Sequence, residues 1–127
     1  MTMKRVLIAD DEAHVVRILQ RTLERAGYQV ESCPNGEAAL ARVREAPPDV
    51  LISDVQMPRM GGRELCQRIQ RELPARHFPI VVITSRPEYE ERAWSHHIDN
   101  LHFMEKPLSP RRLVALLERH VSQPASH

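Results

Sequence analysis

The chain predicts an α/β domain built on a doubly wound parallel sheet, and three observations carry that expectation. Strand-like and helix-like segments alternate five times along 127 residues with short connections, the order that lays helices over both faces of a parallel sheet. The stretch Pro79-Ile80-Val81-Val82-Ile83-Thr84-Ser85 is β-branched, continuous and apolar, as a strand buried on both faces is. Polar residues gather where the strand-like runs end, the place where open α/β sheets bind ligands.

Val6-Leu7-Ile8-Ala9 reads as the first strand. It runs into Asp10-Asp11-Glu12, three adjacent acids that repel one another unless water or a cation lies among them. From Ala13 to Ala26, residues Val16, Leu19, Leu23 and Ala26 share one stripe while Arg17, Arg21, Glu24 and Arg25 lie largely outside it, an amphipathic helical period. Gly27 suits the residue just past its end. Tyr28 to Cys33 alternates in the manner of a half-buried edge strand. Asn35-Gly36 turns the chain, and Glu37 to Ala46 forms a second helix burying Leu40 and Val43, closed by Pro47-Pro48.

Pro48-Asp49-Val50-Leu51-Ile52-Ser53-Asp54 is the central strand, ending on a carboxylate before a loop punctuated by Pro58, Gly61 and Gly62. A third helix from about Arg63 to Leu73 turns Leu65, Ile69 and Leu73 inward, and Pro74 stops it. After the fourth strand, Glu88 to about His97 is a weaker, polar helix carrying Trp94, followed by a short fifth strand, Leu101-His102-Phe103-Met104. Ser109-Pro110 supplies an N-cap and a proline at the first helical position. Leu113, Leu116, Leu117 and Val121 then form the apolar face of the last helix. The domain is expected to span residues 1–121, with 122–127 a short polar tail or the start of a linker.

Bulk composition is that of an ordinary globular domain, 42% hydrophobic and 28% charged. A formal net charge of +1, from 18 basic and 17 acidic residues, provides no polyelectrolyte surface for nucleic acid or membrane. No apolar run is long enough to span a bilayer, and Met1-Thr2-Met3-Lys4-Arg5 lacks a signal-peptide layout, so a cytoplasmic location is expected. Cys33 and Cys66 are far apart and match no metal spacing; they read as reduced, partly buried thiols.

In this frame Asp10, Asp11, Asp54, Thr84 and Lys106 all fall at, or just beyond, the C-terminal ends of strands. Each has an ordinary alternative: Asp54 as a turn cap, the acidic run as a solvated turn, Thr84 as a β-former finishing a strand. Taken together they suit phosphoryl chemistry on a hard divalent ion. Asp11 and Asp54 would hold Mg²⁺, with Asp10 acting through water. Asp54, already ionised at neutral pH, would attack a phosphoryl group and become an acyl phosphate. Lys106 would act as a point charge on the phosphoryl oxygens and Thr84 as a hydroxyl donor. No Gly-x-Gly-x-x-Gly follows the first strand, which removes the main support for dinucleotide binding.

Over essentially its whole length the chain resembles the receiver domain of two-component response regulators. The resemblance is carried by Ile8-Ala9-Asp10-Asp11-Glu12, by Ser53-Asp54-Val55-Gln56-Met57-Pro58-Arg59-Met60-Gly61-Gly62, by Val82-Ile83-Thr84-Ser85 and by Phe103-Met104-Glu105-Lys106-Pro107. It implies a flavodoxin-like sheet of order 2-1-3-4-5. It implies that Asp54 takes a phosphoryl group from a phosphohistidine of a sensor histidine kinase or a histidine phosphotransfer protein. The metal ligands would then be Asp11, Asp54 and the backbone carbonyl of Gln56, with Asp10 beside them, and Lys106 would precede a cis Pro107. Thr84 and Phe103 match the switch pair: a gain of about −1.5 to −2 charge at Asp54 would draw in Thr84, let Phe103 rotate inward, and reshape the surface around the fourth helix and fifth strand. Gln56 and Arg86, each two residues past a site residue, would tune how fast water removes the phosphoryl group. Kinase docking would fall near Glu12, His14 and Val15.

One segment departs from the family pattern. His96-His97-Ile98-Asp99-Asn100-Leu101-His102 stands where a small turn is usual, and its histidines are either a solvated loop or a metal-binding or pH-sensing group. Two other functions compete. A small aspartyl-phosphate phosphatase of the haloacid-dehalogenase type would need a second Asp where this chain has Gln56, and a cap domain that it lacks. A receiver-like adapter acting without phosphorylation would not need the full set of Asp10, Asp11, Asp54, Thr84 and Lys106. The expected product is therefore a signalling module that catalyses only its own phosphorylation and dephosphorylation, standing alone or joined to an output domain.

Overall fold

The computed structural model describes residues 3–121; the tail expected at 122–127 lies outside them. Strands β1 (Arg5–Ala9), β2 (Gln29–Cys33), β3 (Val50–Asp54), β4 (Ile80–Thr84) and β5 (Leu101–Glu105) alternate with helices α1 (Ala13–Arg25), α2 (Gly36–Glu45), α3 (Gly62–Glu72), α4 (Pro87–Trp94) and α5 (Pro110–His120). All strand pairings are parallel, in the order β2-β1-β3-β4-β5. This is the flavodoxin-like order that the resemblance implies.

Residue alternation along the strands builds two cores. Leu7, Leu51, Ile80 and Val82 face Leu40, Val43, Leu65, Ile69 and Trp94. Val6, Ile8, Ile52, Val81 and Ile83 face Leu19, Leu23, Leu113 and Leu117. Every residue of β3 and β4 is buried, whereas the edge strands β2 and β5 are largely half-exposed. Tight packing of this kind makes each strand's depth in the sheet a fixed quantity.

Helix ends follow side-chain chemistry. Asn35 Oδ1 accepts from the Ala38 N–H at 2.8 Å, and Ser109 Oγ from the Arg112 N–H at 3.3 Å. Two expectations need correction. Ala26 is exposed as the C-cap of α1 rather than part of its buried stripe. The fourth helix stops at Trp94, not His97, because side chains take its last carbonyls. The Ser95 hydroxyl donates to the Glu91 carbonyl at 2.7 Å, and a ring nitrogen of His96 lies 2.8 Å from that of Arg92. The turn closed by the Ile98 N–H on the Ser95 carbonyl at 3.1 Å then buries Ile98.

Register sets the rim. Ala9 pairs with Ser53, so Asp10 and Asp54 come level; Asp54 pairs with Ile83, and Thr84 with Glu105. Beyond Asp54 the chain folds back at once, the Gly62 N–H donating to the Val55 carbonyl at 2.8 Å. A Cβ on Gly62 would run into the carbonyl oxygen of Asp54, and one on Gly61 would stand 2.8 Å from that of Val55. Gly62→Ala is therefore expected to destabilise the fold by about 2–3 kcal/mol, read as a lowered urea midpoint at unchanged slope.

Candidate functional site

The C-terminal rim of the sheet carries a cluster of ionisable groups. Asp10 leaves β1 with its N–H on the Cys33 carbonyl at 3.0 Å, and Lys106 leaves β5 with its N–H on the Thr84 carbonyl at 2.9 Å. Asp10, Asp54 and Thr84 are only 6%, 5% and 6% exposed. Lys106 Nζ reaches Asp54 Oδ1 at 3.0 Å, and the Val55 N–H donates to the same oxygen at 2.9 Å. Oδ2 carries no hydrogen bond, and among the described residues no buried side-chain oxygen lacks a partner. Oδ2 is therefore the edge of Asp54 that meets solvent. The Lys106–Pro107 peptide bond is cis.

Asp54, Asp10 and Glu12 each present a carboxylate oxygen within 4.8 Å of the others. Asp10 Oδ1 also accepts from the Glu12 N–H at 2.9 Å. Burial pushes the Asp10 carboxyl above its ordinary range, and the charges of Asp54 and Glu12 add to that, against the pull of the Glu12 N–H. Burial alone would lower the Lys106 ammonium, but its hydrogen bond to Asp54 and the charges of Asp54, Asp10 and Glu12 carry it above its usual value. Three carboxylates crowded beside one ammonium form a donor set suited to a hard divalent cation such as Mg²⁺.

A cavity of about 640 Å³ opens over Asp54, Glu12, Thr84 and Lys106; Asp11, expected as a direct ligand, is exposed and lines it, but its carboxylate lies outside the group of three. Glu12 joins the group instead. The acidic run announced the site without saying which of its members turns inward, because a loop has no period to read. Gln56 and Arg86 are exposed on the cavity wall. Arg86 donates its N–H to Thr84 Oγ1 at 3.1 Å and lays its guanidinium over the Tyr89 ring at 4.7 Å. Tyr89 was not singled out in the sequence; its spacing three residues after Arg86 was the available signal. Phe103 is half-buried, edge-on to Trp94 with ring centroids 5.7 Å apart.

The remaining candidates fall elsewhere. His96 and His97 are exposed, while His102 stacks on His120 with centroids 3.9 Å apart. Among the described residues the three loop histidines form no metal-ligand group. Cys33 and Cys66 are free and buried, and burial pushes the Cys66 thiol up to about 12, so it stays protonated and unreactive. No helix among the described residues is long and apolar enough to cross a membrane.

Buried acids around one ammonium, at the C-terminal rim of a 2-1-3-4-5 sheet, define a class of signalling module, and comparison with known proteins agrees: residues 6–118 match the response regulator receiver domain. The chain belongs to that family. Among its relatives is the alkaline phosphatase synthesis transcriptional regulatory protein PhoP of Bacillus subtilis, 34% identical over 97% of this chain and 52% of that protein. The chain spans about half the length of the curated relatives it matches. Among solved structures, the chemotaxis protein CheY4 of Vibrio cholerae superposes with a TM-score of 0.84 at 32% identity, over 94% of this chain and all of that one. Response regulator protein TrrA of Thermotoga maritima, in complex with Mg(2+)-BeF, does so with 0.82 at 26% identity, over 94% of this chain and all of that one.

Crowded like charges make Asp10 costly in the absence of a cation. Asp10→Asn is expected to raise the stability of the metal-free chain by about 1–2 kcal/mol and to weaken Mg²⁺ binding at least tenfold. Thermal melts and magnesium titration calorimetry read the two effects.

Proposed function

We propose that this receiver domain works by phosphorylation of Asp54, the phosphoryl group coming from a phosphohistidine of a sensor histidine kinase or a histidine phosphotransfer protein. The observation that carries the reading is the asymmetry of the Asp54 carboxylate. Oδ1 is held by Lys106 and the Val55 N–H, which leaves Oδ2 as the oxygen available to phosphorus. In the transfer an Oδ2–P bond forms and the N–P bond of the phosphohistidine breaks, returning the electron pair to the imidazole nitrogen. Lys106 neutralises developing charge on the phosphoryl oxygens. Asp10, Glu12 and Asp54 would hold Mg²⁺, with Asp11 and the Gln56 carbonyl as the ligands that the family resemblance adds. The ion's chemical contribution is positive charge where two anions meet.

Thr84 and Phe103 are the proposed switch. Thr84 Oγ1 accepts from the Arg86 N–H, so its hydroxyl proton remains available to a phosphoryl oxygen. Phe103 packs against Trp94, which links strand β5 to the end of α4. Turning Thr84 inward would change the space behind Phe103 and shift that contact. Gln56 and Arg86, both on the cavity wall, are proposed to set the lifetime of the acyl phosphate. The chain's formal charge of +1 supports a domain that does not itself bind nucleic acid. Since the curated relatives named as transcriptional regulators are about twice as long, a downstream output domain or separate target completes the pathway, in the cytoplasm.

Incubation with acetyl phosphate and Mg²⁺ is expected to add the mass of one phosphoryl group, seen by intact mass spectrometry and lost in Asp54→Asn; no adduct on the unmodified chain would overturn the reading in favour of a phosphorylation-independent adapter. Trp94 is the single tryptophan, so its emission should change on phosphorylation. Thr84→Ala is expected to keep the adduct and lose most of that change. An emission equally altered in Thr84→Ala would remove Thr84 from the switch.

A further inference from the structure

Among the described residues, Arg86 takes part in no ion pair within 4.0 Å. Glu90, the acidic residue of α4 on the wall of the cavity over Asp54, accepts from the Trp94 indole N–H at 3.3 Å. The Arg86 guanidinium rests instead on the face of Tyr89, 4.7 Å from the ring centroid, in a cation–π contact. The ring is half exposed, one of three large apolar side chains left open on the described surface. Its placement has a consequence. Arg86 and Tyr89 line the cavity over Asp54 and also a second cavity of about 400 Å³ bounded by Glu88, Arg92 and Glu105. The stacked pair is the wall between the two.

We propose that Tyr89 is a positioning residue that holds the Arg86 guanidinium over the phosphoryl cavity. This inference rests on Asp54 being the phosphoacceptor. Hydrolysis of the acyl phosphate forms a bond from a water oxygen to phosphorus, on the side away from Asp54 Oδ2. It breaks the Oδ2–P bond, frees inorganic phosphate and restores the Asp54 carboxylate. A guanidinium pinned over that side fills the volume through which water arrives. It also offers the phosphoryl oxygens planar N–H donors that Lys106, a compact ammonium, does not supply. The Arg86 side chain has several rotatable bonds, and without a surface to rest on it would spend much of its time in bulk solvent. The ring therefore acts on lifetime through Arg86, not by touching phosphorus.

The test is dephosphorylation of the chain loaded with acetyl phosphate and Mg²⁺, followed by intact mass after excess reagent is removed. Tyr89→Leu is expected to shorten the phosphoryl lifetime roughly two- to fivefold, the factor to which an exposed cation–π contact corresponds. Tyr89→Phe keeps the ring and should match the unmodified chain. Arg86→Ala should shorten the lifetime at least as much, and adding Tyr89→Leu to it should change nothing further. Equal lifetimes in Tyr89→Leu and the unmodified chain overturn the inference, as does a Tyr89→Leu effect that persists in the Arg86→Ala background. Loss of lifetime in Tyr89→Phe would overturn it too, by assigning the effect to the hydroxyl. If the unmodified chain takes no phosphoryl group, the phosphoacceptor reading fails and this inference falls with it; a chain that loads normally isolates the role of Tyr89.

Discussion

The rim is organised around the ion pair between Lys106 and Asp54. Asp54 and Asp10 are both almost fully covered, and ionised carboxylates lose most of their hydration when covered. One ammonium 3.0 Å from Asp54 Oδ1 offsets part of that cost, while the covered Asp10 carboxylate is held by the Glu12 N–H and shares the same ammonium's charge with Glu12. Lys106 is itself about two-fifths exposed, so water screens the pair and keeps the ammonium mobile. The result is a rim that is stable enough to fold and electrostatically unfinished. Its three carboxylates form a donor set suited to a hard divalent cation, and under the proposed function a phosphoryl group would be the second charge to enter it.

The backbone makes that unfinished arrangement possible. In register, β3 ends one residue beyond β1 and β4 one residue beyond β3, so groups far apart in sequence arrive at nearly one level. The fold-back after Asp54 depends on Gly62, whose missing side chain lets the helix α3 begin directly against the Asp54 carbonyl. A side chain there would meet the Asp54 carbonyl and the Ser53 hydroxyl, so the end of β3 or the start of α3 would have to shift. The cavity and the buried core are therefore one construction, with β3 and β4 buried on both faces and their last residues forming its floor.

On the far wall, α4 serves a different purpose from the other helices. It is the shortest helix, eight residues, and the only buried side chain it supplies is Trp94. Arg86 caps its start and Tyr89 sits in its first turn beside the cavity over Asp54, and Trp94 closes its last turn against Phe103. Few apolar anchors and a contact at each end suit an element that shifts between arrangements.

The sequence by itself determined the fold class, the five alternations and the convergence of Asp10, Asp54, Thr84 and Lys106. Those features follow from apolar periodicity and from the rule that parallel strands end on one side of a sheet. Helix boundaries were legible to a residue or so wherever a cap or proline marked them, and missed at α4, where Ser95 and His96 side chains displaced the helical hydrogen bonds. What only the tertiary structure decided lies in side-chain direction. It turned Glu12 rather than Asp11 toward Asp10 and Asp54, stacked His102 on His120 instead of gathering the loop histidines, and laid Arg86 on Tyr89. Loops and helix termini have no repeating period, so rotamers there are settled by neighbours brought from other elements, which no linear pattern records.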